Sequence, residues 1–167
     1  MKAASKSTRR RARELALQGL YEWQISKAEP KVVDAHMREQ EGFARCDAEH
    51  FDALLHGCIR EVAVLDALIA RHTDRRASML SPVEHGVLLI GAYELAHCVA
   101  IPYRVAINEA VELAKSFGGT DGHKYVNGVL DKVAAELRPA EVAERRARQT
   151  AAASVASEAP GDETAAE

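Results

Sequence analysis

Long hydrophobic runs are missing from this sequence. No apolar stretch approaches the roughly 20 residues that a membrane-spanning helix needs, and the basic N-terminus is not followed by the hydrophobic segment of a secretory signal. The chain therefore reads as soluble, untargeted and cytoplasmic. Cysteine is scarce: Cys46, Cys58 and Cys98 cannot all pair, and none forms a CxxC or another metal-ligand spacing. That excludes a disulfide framework and points to reduced thiols. Aromatic residues make up 5% of the chain and only five of its 167 residues are proline. Ala, Leu, Glu and Arg abound instead, a usage that favours helices over strands. The length suits one globular domain, or two small halves sharing a core.

Charge is unevenly divided. Residues 1–13 hold Lys2, Lys6, Arg9, Arg10, Arg11 and Arg13 and no acid, whereas residues 14–138 carry 13 basic against 19 acidic side chains. From 139 onward, Arg145, Arg146 and Arg148 face Glu141, Glu144, Glu158, Asp162, Glu163 and Glu167. A net charge of −3 thus hides a basic leading edge on an acidic body. Such asymmetry suits a polyanionic partner. The plainer reading, a solvated helix start, is weakened because cations at a helix N-terminus oppose the macrodipole.

Helical periodicity covers nearly everything from residue 8 to 138. A first helix is expected from Ser7 or Thr8 to about Ala28, and a weaker second one from Pro30 towards Gly42. A third follows Asp47, with Phe51, Leu54, Leu55, Cys58, Ile59, Val62, Leu65, Leu68 and Ile69 on one stripe. His72 to Arg76 form the joint between halves. Ser81-Pro82-Val83-Glu84 is a capping box with proline at the first helical position. The helix it opens runs to about Val99, and the next spans Tyr103 to Phe117 with a left-handed stop at Gly118-Gly119. Thr120 or Asp121 caps a last helix, which Pro139 ends. The composition predicts a basic flexible arm over 1–7, helical halves over 8–77 and 78–139, and a disordered tail over 140–167.

The first helix is apolar on two sides. Ala12, Leu15, Ala16, Gly19 and Trp23 make one face, Leu17, Leu20 and Tyr21 extend it, and only Glu14, Gln18 and Glu22 form a polar strip. Such a helix is either central to both halves or partly reserved for a partner. Trp23 and Leu20 read as core, whereas Tyr21 lies off the Trp23 face. Arg9 and Arg13 fall one turn apart beside this surface, Lys6 joins them if the helix extends back that far, and Arg10 and Arg11 point elsewhere. Cations beside exposed rings suit single-stranded nucleic acid, charge tracking the backbone and rings stacking on bases.

Catalysis finds no support. Glu94-x-x-His97 has the spacing of di-iron bundles but lacks a second such motif, so Glu94 reads as a structural ion pair on an apolar helix face. His50 and His56 are six apart and share no helical face. Nucleophile elbows, P-loops and GxGxxG are absent, and Cys58 sits among apolar residues. No enzyme activity, cofactor or metal is expected.

Arg9-Arg10-Arg11-Ala12-Arg13-Glu14, followed by Leu20-Tyr21-Glu22-Trp23-Gln24, resembles the N-terminal helix of the NusB family of bacterial antitermination factors. Ile101-Pro102-Tyr103-Arg104-Val105-Ala106-Ile107-Asn108-Glu109-Ala110-Val111-Glu112-Leu113-Ala114-Lys115-Ser116-Phe117-Gly118 is similar to that family's signature. So is His123-Lys124-Tyr125-Val126-Asn127-Gly128-Val129-Leu130-Asp131-Lys132. The resemblance covers about residues 8–138. It implies an all-α fold of two small helical bundles sharing a central N-terminal helix. It also implies an RNA-binding regulator of transcription that binds boxA RNA with NusE, a ribosomal small-subunit protein, within the RNA polymerase antitermination complex. By position, Arg9–Arg13 match the basic RNA-binding segment, Asp121, Lys124 and Tyr125 match the RNA-contacting start of the last helix, and Tyr21 and Glu84 match the NusE-facing side. Gly122 is smaller than the family pattern suggests, which predicts a more mobile loop. Some relatives dimerise through the RNA surface, so a homodimer is an alternative assembly.

The reading is a non-enzymatic RNA-binding adaptor. One rival is a structural helical interaction module. Another is the NusB-like domain of RNA cytosine methyltransferases, disfavoured because no cofactor-binding domain follows residue 138.

Overall fold

The computed structural model describes residues 6–157, and every regular element among them is helical. Helix α1 is Lys6–Ser26, α2 Pro30–Arg38, α3 Ala48–Arg60, α4 Val62–Ala70, α5 Pro82–His97, α6 Tyr103–Phe117, α7 Gly122–Leu137 and α8 Pro139–Ser157. The fold is all-α, as the composition predicts. Ser81 Oγ accepts from the Glu84 N–H at 3.1 Å, just ahead of Pro82. The Asp47 carboxylate accepts from the His50 N–H at 3.1 Å and opens α3.

Helix α1 packs on α2 and α3 on one side and on α5, with a smaller contact to α6, on the other. That explains its two apolar sides. The most enclosed helix is α5, which touches α1, α3, α4, α6 and α7 and is buried continuously from Gly86 to Leu95. Small residues allow this crowding: a Cβ on Gly57 would stand 2.3 Å from the Tyr93 ring, and one on Gly91 2.5 Å from Leu130. Gly42 is needed for another reason, since its φ of +88° is a left-handed conformation that side chains disfavour.

The structure corrects several expectations. The stripe from Phe51 to Ile69 is two helices, with a break at Glu61 (φ −104°, ψ 15°). Helix α3 faces α1 and α5 while α4 faces α5 and α7, so one straight rod cannot serve both surfaces. The stop after α6 is not left-handed: Gly118 is extended (φ −94°, ψ −176°), and glycine is needed there because a Cβ would lie 2.6 Å from the Ala114 carbonyl oxygen. Asp121 precedes α7 without a side-chain cap bond. The helix before Pro139 ends as expected, at Leu137 with Arg138 non-helical, but Pro139 also opens a further helix, α8, at the position where a missing N–H is harmless.

The expected disordered tail is helical as far as Ser157. Alanine supplies propensity, Arg148 pairs with Glu144 one turn back, and the first turn is bolted down. The buried Arg138 guanidinium donates to the carbonyls of Glu94, Leu95, Cys98 and Ile101, satisfying the end of α5. Glu141 accepts from the Tyr103 N–H at 2.7 Å, and Val142 is buried. Residues 158–167 lie outside the described residues, as do residues 1–5 of the expected arm; Lys6 and Ser7 belong to α1.

Candidate functional site

Three of the predicted cations converge at the start of α1. Lys6, Arg10 and Arg11 line one shallow depression with Ser7 and Glu14. Arg11 is exposed, lies 3.4 Å from Glu14 and runs past Gly42, where Arg45 lines the neighbouring surface. Arg10 is about half-exposed yet already engaged, giving two hydrogen bonds at 3.0 Å to the buried Glu109 carboxylate. That bond, with the Coulombic pull of Glu109, raises the Arg10 pKa above its ordinary value, so an incoming phosphate competes with Glu109. Arg9 lies 3.7 Å from Asp47, and its Nε is buried with no hydrogen-bond partner among the described residues.

Arg13 is not a phosphate ligand. It is 2% exposed and donates two 2.8 Å hydrogen bonds to the fully buried Glu94 of α5. Burial pushes its guanidinium pKa down, but the pair with Glu94, helped by Glu109 at 3.8 Å, raises it overall. Burial likewise pushes Glu94 up, and hydrogen bonds from His50 and Arg13 hold it below the ordinary carboxylate value. Glu94 is thus the structural ion pair that the sequence suggested. A signal against Arg13 was present, because Leu17 and Leu20 follow it at i+4 and i+7 on the apolar side. Glu109 was missed although it sits between Ala106, Ala110 and Leu113, where a charge signals a buried partner.

The second predicted site lies where residues 71–74 meet α7. Arg71, Thr73, Lys124, Tyr125 and Lys132 line an open groove there. Lys124 is exposed and only loosely paired with the exposed Asp121 at 3.5 Å. Tyr125 is half-buried, its hydroxyl bonded to that of Thr73 at 2.5 Å, and the Arg75 guanidinium stands 4.2 Å from its ring centroid. Sequence spacing links neither Thr73 nor Arg75 to Tyr125, some fifty residues away.

Tyr21 is 47% exposed, off the core as its helical angle suggests, whereas Trp23 is only half-buried. One turn beyond Tyr21, Gln24 donates to the Pro82 carbonyl at 3.0 Å, placing this part of α1 against the start of α5. Glu84 is half-buried there, and its Oε1 lies 3.3 Å from where a Gly122 Cβ would be. The missing side chain at 122 therefore gives Glu84 room, and Glu84 joins the expected partner side to the start of α7.

Little here supports bond-making chemistry. Burial pushes the Cys58 thiol far above its ordinary pKa, which makes it inert. Asp34, Asp52 and His56 bring ligand atoms within 4.8 Å of one another, but the Arg38 guanidinium already spans both carboxylates and His56 is hydrogen-bonded to Asp34. No helix among the described residues is long and apolar enough to cross a membrane.

Cations line a depression at the start of α1, and a second cation-lined groove holds a ring at the start of α7, an arrangement that defines a binding protein suited to a polyanion. Comparison with known proteins makes this specific: residues 10–135 match the NusB family, and the chain belongs to it. It is 62% identical over 145 residues to the transcription antitermination protein NusB of Ralstonia nicotianae, covering 87% of this chain and 94% of that one. The protein of the same name from Bordetella pertussis is 57% identical over 145 residues, covering 84% and 94%. Among solved structures, T. maritima NusB superposes with a TM-score of 0.71 at 27% identity over 85% of this chain and 99% of that one. NusB in a crystal structure of antitermination factors NusB and NusE in complex with dsRNA shares the fold, with a TM-score of 0.69 at 24% identity over 79% and 99%. The family is regulatory and not enzymatic.

Proposed function

We propose that this chain binds single-stranded boxA RNA together with NusE and serves the RNA polymerase antitermination complex in the cytoplasm. The observation that carries the reading is the convergence of Lys6, Arg10 and Arg11 on one exposed depression at the start of α1. Membership of the NusB family supports it. The mechanism is additive. These cations supply sequence-independent phosphate affinity, and the groove beside Lys124 and Tyr125 supplies base contacts under the exposed Asp121. NusE seated on Tyr21 and Glu84 adds contact area next to that groove, because Glu84 adjoins Gly122. The halves 8–77 and 78–139 are then linked by the joint His72 to Arg76, which itself belongs to the RNA surface.

A gel shift with boxA RNA, with and without NusE, tests this. The expected result is binding by the chain alone that tightens with NusE, and preference for boxA over a scrambled RNA of equal length. Retention of neither RNA, with or without NusE, favours a structural helical interaction module instead, and equal retention of both removes the boxA preference. A homodimer closing over the same surface appears as a dimer mass that RNA dissociates.

A further inference from the structure

We propose that Arg75, and not the ring of Tyr125 itself, is the surface on which a nucleobase stacks at the edge of the groove between residues 71–74 and α7. The inference rests on the RNA-binding reading above and says how one part of that surface works. Tyr125 is half-buried against the core. The exposed Arg75 guanidinium stands 4.2 Å from its ring centroid, at the edge of the groove that Tyr125 lines, so a base approaching that face of the ring meets the guanidinium first. A guanidinium is planar, delocalised and weakly hydrated, and stacks on aromatic rings and on nucleobases alike. Arg75 forms no ion pair among the described residues, which leaves its outer face for a base and its N–H edge for phosphate or base acceptors.

One side chain sets this geometry. Thr73 Oγ1 accepts from the Arg75 backbone N–H at 3.1 Å and shares a 2.5 Å hydrogen bond with the Tyr125 hydroxyl. Thr73 therefore fixes the backbone that carries the guanidinium and the ring that backs it, and is a positioning residue. Along α7, Lys124 and Lys132 are eight residues and about 12 Å apart. Gly128 lies between them, where an added Cβ meets nothing within 4 Å. The floor beside the stack is thus open, with a cation at either end for the flanking phosphates.

The test compares Arg75→Lys, Arg75→Ala, Thr73→Val and Thr73→Ser in the full chain by fluorescence anisotropy with a boxA oligonucleotide across a salt series. Arg75→Lys keeps the charge and loses the plane. It is expected to weaken binding about tenfold with an unchanged salt slope, because stacking is nearly independent of salt. Arg75→Ala is expected to weaken it at least as much. Thr73→Val should reproduce part of the loss and Thr73→Ser restore it. Arg75 is exposed, so melting temperatures of its variants should match the unaltered chain. If Arg75→Ala binds as well or better, the guanidinium merely occupies the ring and the proposal is overturned. Full affinity in Arg75→Lys overturns it too, since charge alone then suffices. Absence of RNA binding by the unaltered chain removes both this proposal and the reading beneath it. Weakening by Arg10→Ala together with Arg11→Ala, but by no Arg75 variant, removes this proposal alone.

Discussion

Arg13 and Glu94 face each other in the interior of the molecule, the guanidinium giving two hydrogen bonds of 2.8 Å to the carboxylate, with both side chains almost wholly shut off from water. His50 Nε2 lies 3.2 Å from the second Glu94 oxygen. The pair sets the register of α1 on α5 and takes one cation of the basic run out of RNA binding. Removing one partner of such a pair strands a buried charge and costs about 3–5 kcal/mol, whereas replacing both with apolar residues of similar size is far milder. Arg13→Met is therefore expected to lower the urea midpoint severely. Arg13→Met with Glu94→Leu should recover much of it. Equal destabilisation by the double variant would mean that His50 alone cannot tolerate the loss of Glu94.

Acid should undo the same contacts. Glu94 is held below its ordinary pKa against the opposing effect of burial, and so is Asp34, where hydrogen bonds from Arg38 and His56 overcome its desolvation. A carboxylate whose folded pKa is depressed binds protons more readily when unfolded. Its stabilisation is fully present above the ordinary value of about 4 and is lost as pH falls through the lower, folded value. Urea midpoints measured from pH 7 to pH 3 should hold down to about pH 5 and then fall. Asp34→Asn should be less stable at pH 7 and lose less below pH 4. A midpoint that rises on acidification contradicts the sign.

Much of the architecture was readable from local chemistry. Ser81-Pro82 and Asp47 open helices where their caps suggest, and Tyr21 stands off the core as its helical angle predicts. What was not readable depends on neighbours distant in sequence. Arg13 belongs to a basic run until Glu94, 81 residues away, claims it, and Arg10 reads as free until Glu109 is seen beside it. Arg75 gains a role only when a joint between halves folds onto α7. Composition alone also misjudged the segment up to Ser157, because the start of α8 is held by Arg138 reaching across to α5, by Glu141 on the Tyr103 N–H and by the buried Val142.

That anchor separates two parts of α8 by experiment. Arg138 satisfies four carbonyls at and beyond the end of α5, whereas residues 143–157 are all exposed. Each buried acceptor left without a donor costs about 1–3 kcal/mol. The Glu94 and Cys98 carbonyls keep the backbone N–H groups of Cys98 and Ile101, so Arg138→Ala strands those of Leu95 and Ile101 and should lower stability by about 2–6 kcal/mol. A chain ending at residue 142 should melt within a few degrees of the full chain. A large loss on truncation would show that the exposed part of α8 supports the core.

The Arg10–Glu109 pair yields a gain-of-function prediction. Glu109→Gln keeps a hydrogen-bond acceptor for Arg10 but removes the competing charge, freeing the guanidinium for phosphate. RNA affinity at low salt should rise several-fold, and the slope of log K against log salt should steepen by up to about 0.7, the contribution of one further phosphate on a single strand. Arg10→Ala in the same background should cancel the gain. Unchanged affinity and slope in Glu109→Gln would mean that RNA does not reach Arg10.

Tyr21 tests the protein-binding side independently of RNA. It is 47% exposed, so Tyr21→Asp should leave the circular dichroism spectrum intact and shift the melting temperature by only a few degrees. In the proposed complex the ring lies in a desolvated contact, where an unpaired carboxylate is strongly unfavourable. NusE affinity should fall by a factor of 10 or more in isothermal titration calorimetry, while binding of boxA RNA to the chain alone stays the same. Trp23→Ala is the contrasting variant. Trp23 is half-buried and packs against the core, so its truncation should cost stability, though less than the 3–5 kcal/mol typical of a fully buried aromatic. A Tyr21→Asp chain that unfolds would place this ring in the core. One that binds NusE normally would move the partner to another face, with the exposed Ile25 on the following turn as the next position to test.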